Sequence, residues 1–244
     1  MRPGQPDRAL AGVDGCRAGW IAVISGKEDI PLPRVFARFG EVFESLPADA
    51  IIAVDMPIGL PERVGGGGRG PEKSVRPYLG MRQSSVFSIP SRSAVFAQDY
   101  QQACKLAFAT SDPPRKVSKQ AFHLFPRIRE IDAMIDKSNQ HRIREVHPEL
   151  AFWRLNGEQA MQFPKKIKSR VNPVGMEERR NLLIRSGLPE QLVRMRPPRG
   201  AAADDLLDAC ACLAIAARIA SGSAVPFPNP PLTDARGLEM AIWA

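Results

Sequence analysis

Residues 11–26 read AGVDGCRAGWIAVISG. Apolar and small side chains fill two short runs on either side of Arg17–Gly19, a pattern that predicts two strands joined by a turn. A third strand is expected over PRVFARFG (Pro33–Gly40), and a short helix over EVFESLP (Glu41–Pro47). The run AIIAVDMPIG (Ala50–Gly59) is apolar without alternation until its Asp-Met-Pro. An unbroken run of this length predicts a strand covered on both faces, as in the parallel middle of a sheet. Pro57 has no amide to give to a ladder, so the strand stops there and Asp55 falls at its C-terminal end.

Beyond Pro61 the pattern lapses into loop as far as Arg92, with VGGGGRGPEK at its centre. Helical periodicity returns over about Ser93–Ala109 and Val117–Asp136. HRIREVHPEL (His141–Leu150) predicts another strand, halted by Pro148. Further helices are expected over about Leu150–Asn156, Gly175–Ser186 and Asp204–Ser221. The tail PNPPLTDARGLEMAIWA is proline-rich, then apolar, and receives no element. No internal repeat or heptad pattern is present. The order is three strands, a helix, a strand, an insertion over about residues 60–140, a strand and helices. It predicts one α/β domain over residues 1–244. Three antiparallel strands extended by parallel strands make a mixed five-stranded sheet flanked by helices, the layout of the RNase H-like fold. The insertion between strands 4 and 5 carries the basic Gly-rich loop and helices.

Composition narrows the class. The chain has 244 residues, 44% hydrophobic and 25% charged, enough for a substantial core. Its 23 prolines foretell long irregular loops. MRPGQPDRAL lacks the apolar centre of a signal peptide, and no apolar run is long enough to span a bilayer. The four cysteines show no zinc-type C-x-x-C spacing and are expected to be reduced. These features point to a cytoplasmic protein with no membrane partner. The formal net charge of +8 favours polyanions, either nucleic acid or a phosphorylated small molecule, although a spread basic surface would give the same sum.

Seven acids draw attention. Asp14 interrupts an apolar strand pattern, where a lone carboxylate is costly unless paired, protonated or metal-bound; with Gly15 beside it, it also reads as a turn former. Asp55 stands where ligands gather in α/β sheets, beyond a strand's carboxyl end, and equally suits a turn before Pro57. Glu145 and Glu149 bracket the end of the strand at EVHPEL, and either can join a site or lie on a solvated face. Asp205 and Asp208 are three apart and share one helix face. Asp204 is the expected N-cap. Acids in a first turn favour the helix dipole, which accounts for Asp208 least well, since it lies a turn further in among Leu207, Ala209 and Cys210.

Together, Asp14, Asp55, Asp205 and Asp208 form a candidate oxygen-ligand set for Mg²⁺ or Mn²⁺, with Glu145 as a further ligand or a water-positioning base. Two such ions in one site can drive phosphodiester hydrolysis. The loop RGPEKSVRPYLGMRQSSVFSIPSR adds candidate phosphate contacts at Arg76, Arg82, Ser84, Ser85 and Arg92, and SKQAF adds Lys119. A solvated basic loop is the alternative. The four glycines Gly65–Gly68 are not a Walker A loop, because Glu72 precedes Lys73-Ser74. No G-x-S-x-G elbow and no H-E-x-x-H spacing occurs. His147 reads as a strand-face residue, and Trp20, Trp153 and Trp243 as packing residues.

The blocks GVDGCRAGW, AVDMPIGLPE, YLGMRQSSVFSIPSR, SKQAF…IREID, EVHPELAFWRLNG and DDLLDA…AA occur in an order that resembles the domain of unknown function 429 family. They cover most of the chain. That resemblance implies an RNase H-like nuclease, and DLLDACA is similar to the D-x-x-D-A run of RuvC-type resolvases. By this likeness Asp14 is a first-strand ligand, Asp55 the fourth-strand acid, and Asp205 and Asp208 the C-terminal helix acids, with Glu145 a family addition. The expected activity is metal-dependent cleavage of nucleic acid. The alternatives are hydrolysis of a small phosphorylated metabolite or nucleotide, and a non-catalytic nucleic-acid-binding or assembly module.

Overall fold

The computed structural model describes residues 8–26, 30–168 and 170–244; the stretch MRPGQPDRAL lies outside these up to Asp7. Five strands form the main sheet: β1 (Leu10–Cys16), β2 (Gly19–Ser25), β3 (Leu32–Phe36), β4 (Ile51–Val54) and β5 (Ile143–Glu145). Their order is β3-β2-β1-β4-β5. The pairs β1–β2 and β2–β3 are antiparallel, while β1–β4 and β4–β5 are parallel. This is the mixed sheet expected from the sequence, and it is consistent with the RNase H-like layout. Pro33 lies in β3, an edge strand that pairs only with β2, where a missing amide costs no second ladder.

The strand β4 is buried along its whole length, and its side chains alternate between two apolar layers. Ile51 and Ala53 face one layer, built with α5 (Pro148–Leu155) and α7 (Ala203–Ala220). Ile52 and Val54 face the other, built with α1 (Phe39–Glu44) and α4 (Lys119–Met134). Between β4 and β5 the chain also forms α2 (Gly70–Val75) and α3 (Tyr100–Thr110), and α6 (Pro173–Arg185) follows α5. The structure thus places a helix within the stretch read as loop. Pro71 lies in its first turn, where a missing amide is harmless.

The helix α7 lies directly on β1. A Cβ added at Gly12 would stand 2.1 Å from both Ala209 O and Leu213 N, so only glycine admits the helix backbone this close. That approach brings the N-terminal half of α7 to the end of β1 that carries Asp14. The helix begins at Ala203 with Ala202 as its extended flanking residue. Asp204, expected as the N-cap, instead lies inside the first turn and pairs with Lys166 at 2.5 Å. The first-turn amide economy falls to Asp205, whose carboxylate reaches back to accept from Ala202 N at 2.8 Å.

The tail is a second departure. Its strands β6 (Pro226–Thr233) and β7 (Glu239–Trp243) pair antiparallel with a register shift between Phe227 and Leu232. Four prolines in β6 hide the strand in the sequence, but a two-stranded ribbon has free edges that tolerate them. Among the described residues no helix is long and apolar enough to cross a membrane.

Candidate metal centre

The three parallel strands β1, β4 and β5 each bring an acid to the same end of the sheet. Asp14 lies near the end of β1, and Asp55 immediately follows β4, its amide donating to Val13 O at 2.9 Å. Glu145 closes β5, paired in register with Val54. Above them α7 contributes Asp208 through the close approach at Gly12.

Asp14, Asp55 and Asp208 each offer a carboxylate oxygen within 4.8 Å of the others. Asp14 is 8% exposed and Asp208 6%, while Asp55 is half-buried. Their partners do not satisfy them. Asp14 Oδ1 accepts from its neighbour's amide, Gly15 N, at 2.7 Å. Asp208 Oδ2 is paired with Lys165 Nζ, and Asp208 Oδ1 is buried with no hydrogen-bond partner. Burial raises the Asp14 pKa well above the usual carboxylate range, and the charges of Asp55 and Asp208 add to the rise. Burial pushes Asp55 to about 8, with Asp208 adding to it and Lys165 opposing. Asp208 is pushed to about 6 by burial, again against the pull of Lys165. Three carboxylates that resist ionisation together, one with an orphaned buried oxygen, form a donor set suited to a hard cation. Residues Asp14, Asp55 and Asp208 therefore fit a divalent ion held by oxygens.

Two expected site residues stand outside this trio. Glu145 is spent on structure: Oε1 takes Arg69 Nη2 at 2.6 Å and Oε2 accepts from Ile58 N at 2.7 Å. It fastens the Asp-Met-Pro turn that carries Asp55, and burial, opposed by Arg69, leaves its pKa raised to about 7. Asp205 is occupied with the Ala202 amide. Glu149 faces inward, gripped by Arg179 Nη2 through both oxygens at 2.8 and 2.7 Å.

A pocket of about 140 Å³ opens beside the trio, lined by Asp14, Asp55, Ser85, Arg127, Glu145 and His147, among others. Of the expected phosphate contacts only Ser85 reaches its wall, with its hydroxyl donating to Arg82 O at 2.8 Å. Arg76 is tied into its own loop, on Gly67 O and on Val86 O and Ser88 Oγ, each of the latter at 2.9 Å. Arg92 forms a fork on Asp132 with both bonds at 2.8 Å and reaches Asp234 at 3.2 Å. Arg82 is half-buried, Ser84 is exposed, and exposed Lys119 stands 6.0 Å over the Tyr100 ring.

Two groups at the centre, Arg127 and Lys165, are not singled out by the sequence, and a third, His147, reads there as a strand-face residue. Arg127, on α4, lies against Gly15 and donates to Cys16 O. Arg129 stands two residues further on the same helix, and no local pattern sets Arg127 apart from it. Lys165 comes from the chain before α6, where KKIK looks like any solvated basic run. Burial works to lower its pKa, but Asp208 and Glu149 outweigh burial and raise it. His147 is pushed down to about 4 by burial, so it is neutral at neutral pH; its Nδ1 is buried without a partner.

No curated protein and no solved structure matches this chain. A family model described as "Protein of unknown function (DUF429)" matches residues 12–233, nearly the whole sequence from β1 into β6, and the chain therefore belongs to that family.

Proposed function

We propose that this protein is a divalent-cation-dependent phosphodiesterase acting on nucleic acid. The observation that carries the reading is the convergence of Asp14, Asp55 and Asp208 at the C-terminal ends of parallel strands, with one buried oxygen of Asp208 unpartnered. Mg²⁺ or Mn²⁺ would be held by these three side chains. Such an ion supplies a Lewis acid that offsets the charge gathering on phosphate oxygens as the ester is cleaved.

The chain's own groups do the rest. Burial raises the pKa of Asp14 and pushes that of Asp55 to about 8, so a cation bound there would be taken up with release of protons. Arg127, on the pocket wall, presents a fixed positive charge to a phosphate. Neutral His147 lines the pocket; Nε2 stands 3.4 Å from Ser85 O, which favours a proton on Nε2 and leaves a lone pair on the buried Nδ1. Glu145 and Arg69 hold the turn that aims Asp55.

A second reading has its own support. The pocket is small, and Arg76 and Arg92 are committed to internal partners. Both features favour a small phosphorylated molecule on the same centre. A panel of single-stranded and duplex oligonucleotides, dinucleotides and mononucleotides, assayed with Mn²⁺ and with EDTA, separates the readings. The nuclease reading expects cation-dependent cleavage of oligonucleotides that Asp14→Asn abolishes in a cooperatively melting protein. Turnover of mononucleotides alone favours the small-molecule enzyme. Salt-dependent nucleic-acid binding with no turnover, unchanged by EDTA, would mean a non-catalytic binding module.

A further inference from the structure

Six carboxylates gather at this end of the sheet, and their cationic partners divide them. Glu72 and Glu145 share the guanidinium of Arg69, with ion-pair distances of 2.6 Å to each. Glu149 is held by Arg179 at 2.7 Å. Those three carboxylates are thus engaged by two buried guanidinium groups. Asp14, Asp55 and Asp208 remain. Among the described residues, the one side-chain cation in ion-pair contact with this trio is Lys165, whose Nζ sits on Asp208 Oδ2 and 4.0 Å from Glu149 Oε1. Its side chain is only 19% exposed, so the ammonium is built into the centre and does not hover over it.

We propose that Lys165 takes the place of a second metal ion, so that the centre binds one divalent cation per chain. The inference rests on the metal-centre reading above and departs from the two-ion chemistry that acid clusters of this kind invite. Paired ions sit about 3.5–4 Å apart and share carboxylate oxygens between them. Here the carboxylates that would serve the outer ion are engaged elsewhere: Glu145 and Glu149 by arginine and Asp208 Oδ2 by Lys165 itself, while Asp205 lies outside the trio with one oxygen on the Ala202 amide. Charge leads to the same count. Three ionised aspartates are neutralised by one ammonium and one dication. A second dication would leave two uncompensated positive charges in a buried site, which is costly.

The test counts ions rather than turnover. Mn²⁺ is titrated into metal-free protein by calorimetry, with electron paramagnetic resonance to count free Mn²⁺ and to detect spin-coupled pairs. Wild type and Lys165→Arg are expected to bind one Mn²⁺ per chain without coupling. Lys165→Gln releases Asp208 Oδ2 and removes a repelling charge, so it is expected to bind its first ion about tenfold more tightly and to admit a second. Two ions per wild-type chain, or a Lys165→Gln protein that keeps one ion at unchanged affinity, would overturn the role of Lys165 and leave the metal centre standing. No Mn²⁺ bound by the wild type would overturn both. Should Lys165→Gln fail to melt cooperatively, the wild-type and Lys165→Arg stoichiometries still decide.

Discussion

Two sets of buried carboxylates lie within one pocket wall of each other and meet opposite fates. Glu72 and Glu145 are closed around Arg69, which is 1% exposed and also donates to Ile58 O and Gly59 O at 2.8 and 2.9 Å. Each set leaves one buried oxygen unpartnered, Glu72 Oε2 in the first and Asp208 Oδ1 in the second, but Asp14, Asp55 and Asp208 have one lysine among three carboxylates, where Arg69 serves two. Burial alone therefore does not mark a site. Burial without sufficient counter-charge does, because such a cluster is tolerated only where something else is to bind.

The largest expected effect comes from breaking the set held by Arg69. Arg69→Met would leave two buried carboxylates without their cation and free the carbonyls of the Asp55 turn. A loss of about 3–5 kcal/mol is expected in urea unfolding, and saturating Mn²⁺ should not restore it. Recovery by Mn²⁺ would show that the two sets are one site and erase the contrast.

Next comes a change that disturbs the aspartate trio while leaving the arginine cluster untouched. Gly12→Ala drives a methyl group into the backbone of α7 and must push Asp208 away from Asp14. Overpacking of this kind costs about 1–3 kcal/mol. Mn²⁺ affinity is expected to fall together with the melting temperature, whereas a conservative core change such as Ile21→Val should lower stability without touching affinity. A Gly12→Ala protein with normal Mn²⁺ binding would show that the α7 approach does not set the site.

A smaller effect of opposite sign separates the sets most sharply. In metal-free protein Asp14→Asn removes a carboxylate that its neighbours repel, and stability is expected to hold or rise by about 1 kcal/mol. The same substitution should abolish Mn²⁺ binding. A clear drop in metal-free melting temperature would mean that Asp14 is a structural acid, of the same kind as Glu145.

Much of this arrangement is legible in the sequence, for identifiable reasons. The apolar run of β4 and the proline after it locate Asp55, and Asp14 announces itself by interrupting β1. Asp208 stands out because a first-turn dipole does not need it. What the sequence hides is pairing across distance. Arg69 meets Glu145 across 76 residues, and Lys165 meets Asp208 across 43. No local pattern distinguishes Glu145, which is consumed by a guanidinium, from Asp55, which is not. Arg76 and Arg92 carry the same ambiguity: a basic loop reads alike whether its arginines face solvent or their own carbonyls and aspartates. The β6–β7 ribbon is hidden for another reason, since its prolines mimic a loop.

The smallest expected effect is a pH dependence whose sign the two sets decide. A carboxyl group with a raised pKa in the folded protein holds its proton longer than it does in the unfolded chain. Its contribution is complete below the unfolded value near 4 and is lost as pH rises through the folded value. For Asp55 that window runs from about 4 to about 8. Glu145 acts in the same direction up to about 7, and Asp208 up to about 6. His147 acts in the opposite direction: its folded value near 4 lies below the unfolded value of about 6.5, so its stabilising contribution is gained as pH rises between them. From pH 7 to 8 the trio is left to dominate, and the metal-free protein should lose stability at a rate on the order of 1 kcal/mol per pH unit. Asp55→Asn should flatten that slope. Excess Mn²⁺ should reverse it, since binding requires ionised ligands and strengthens as they lose their protons. A metal-free melting temperature that stays level from pH 7 to 8 would mean that the trio is already ionised and that Lys165 alone compensates it.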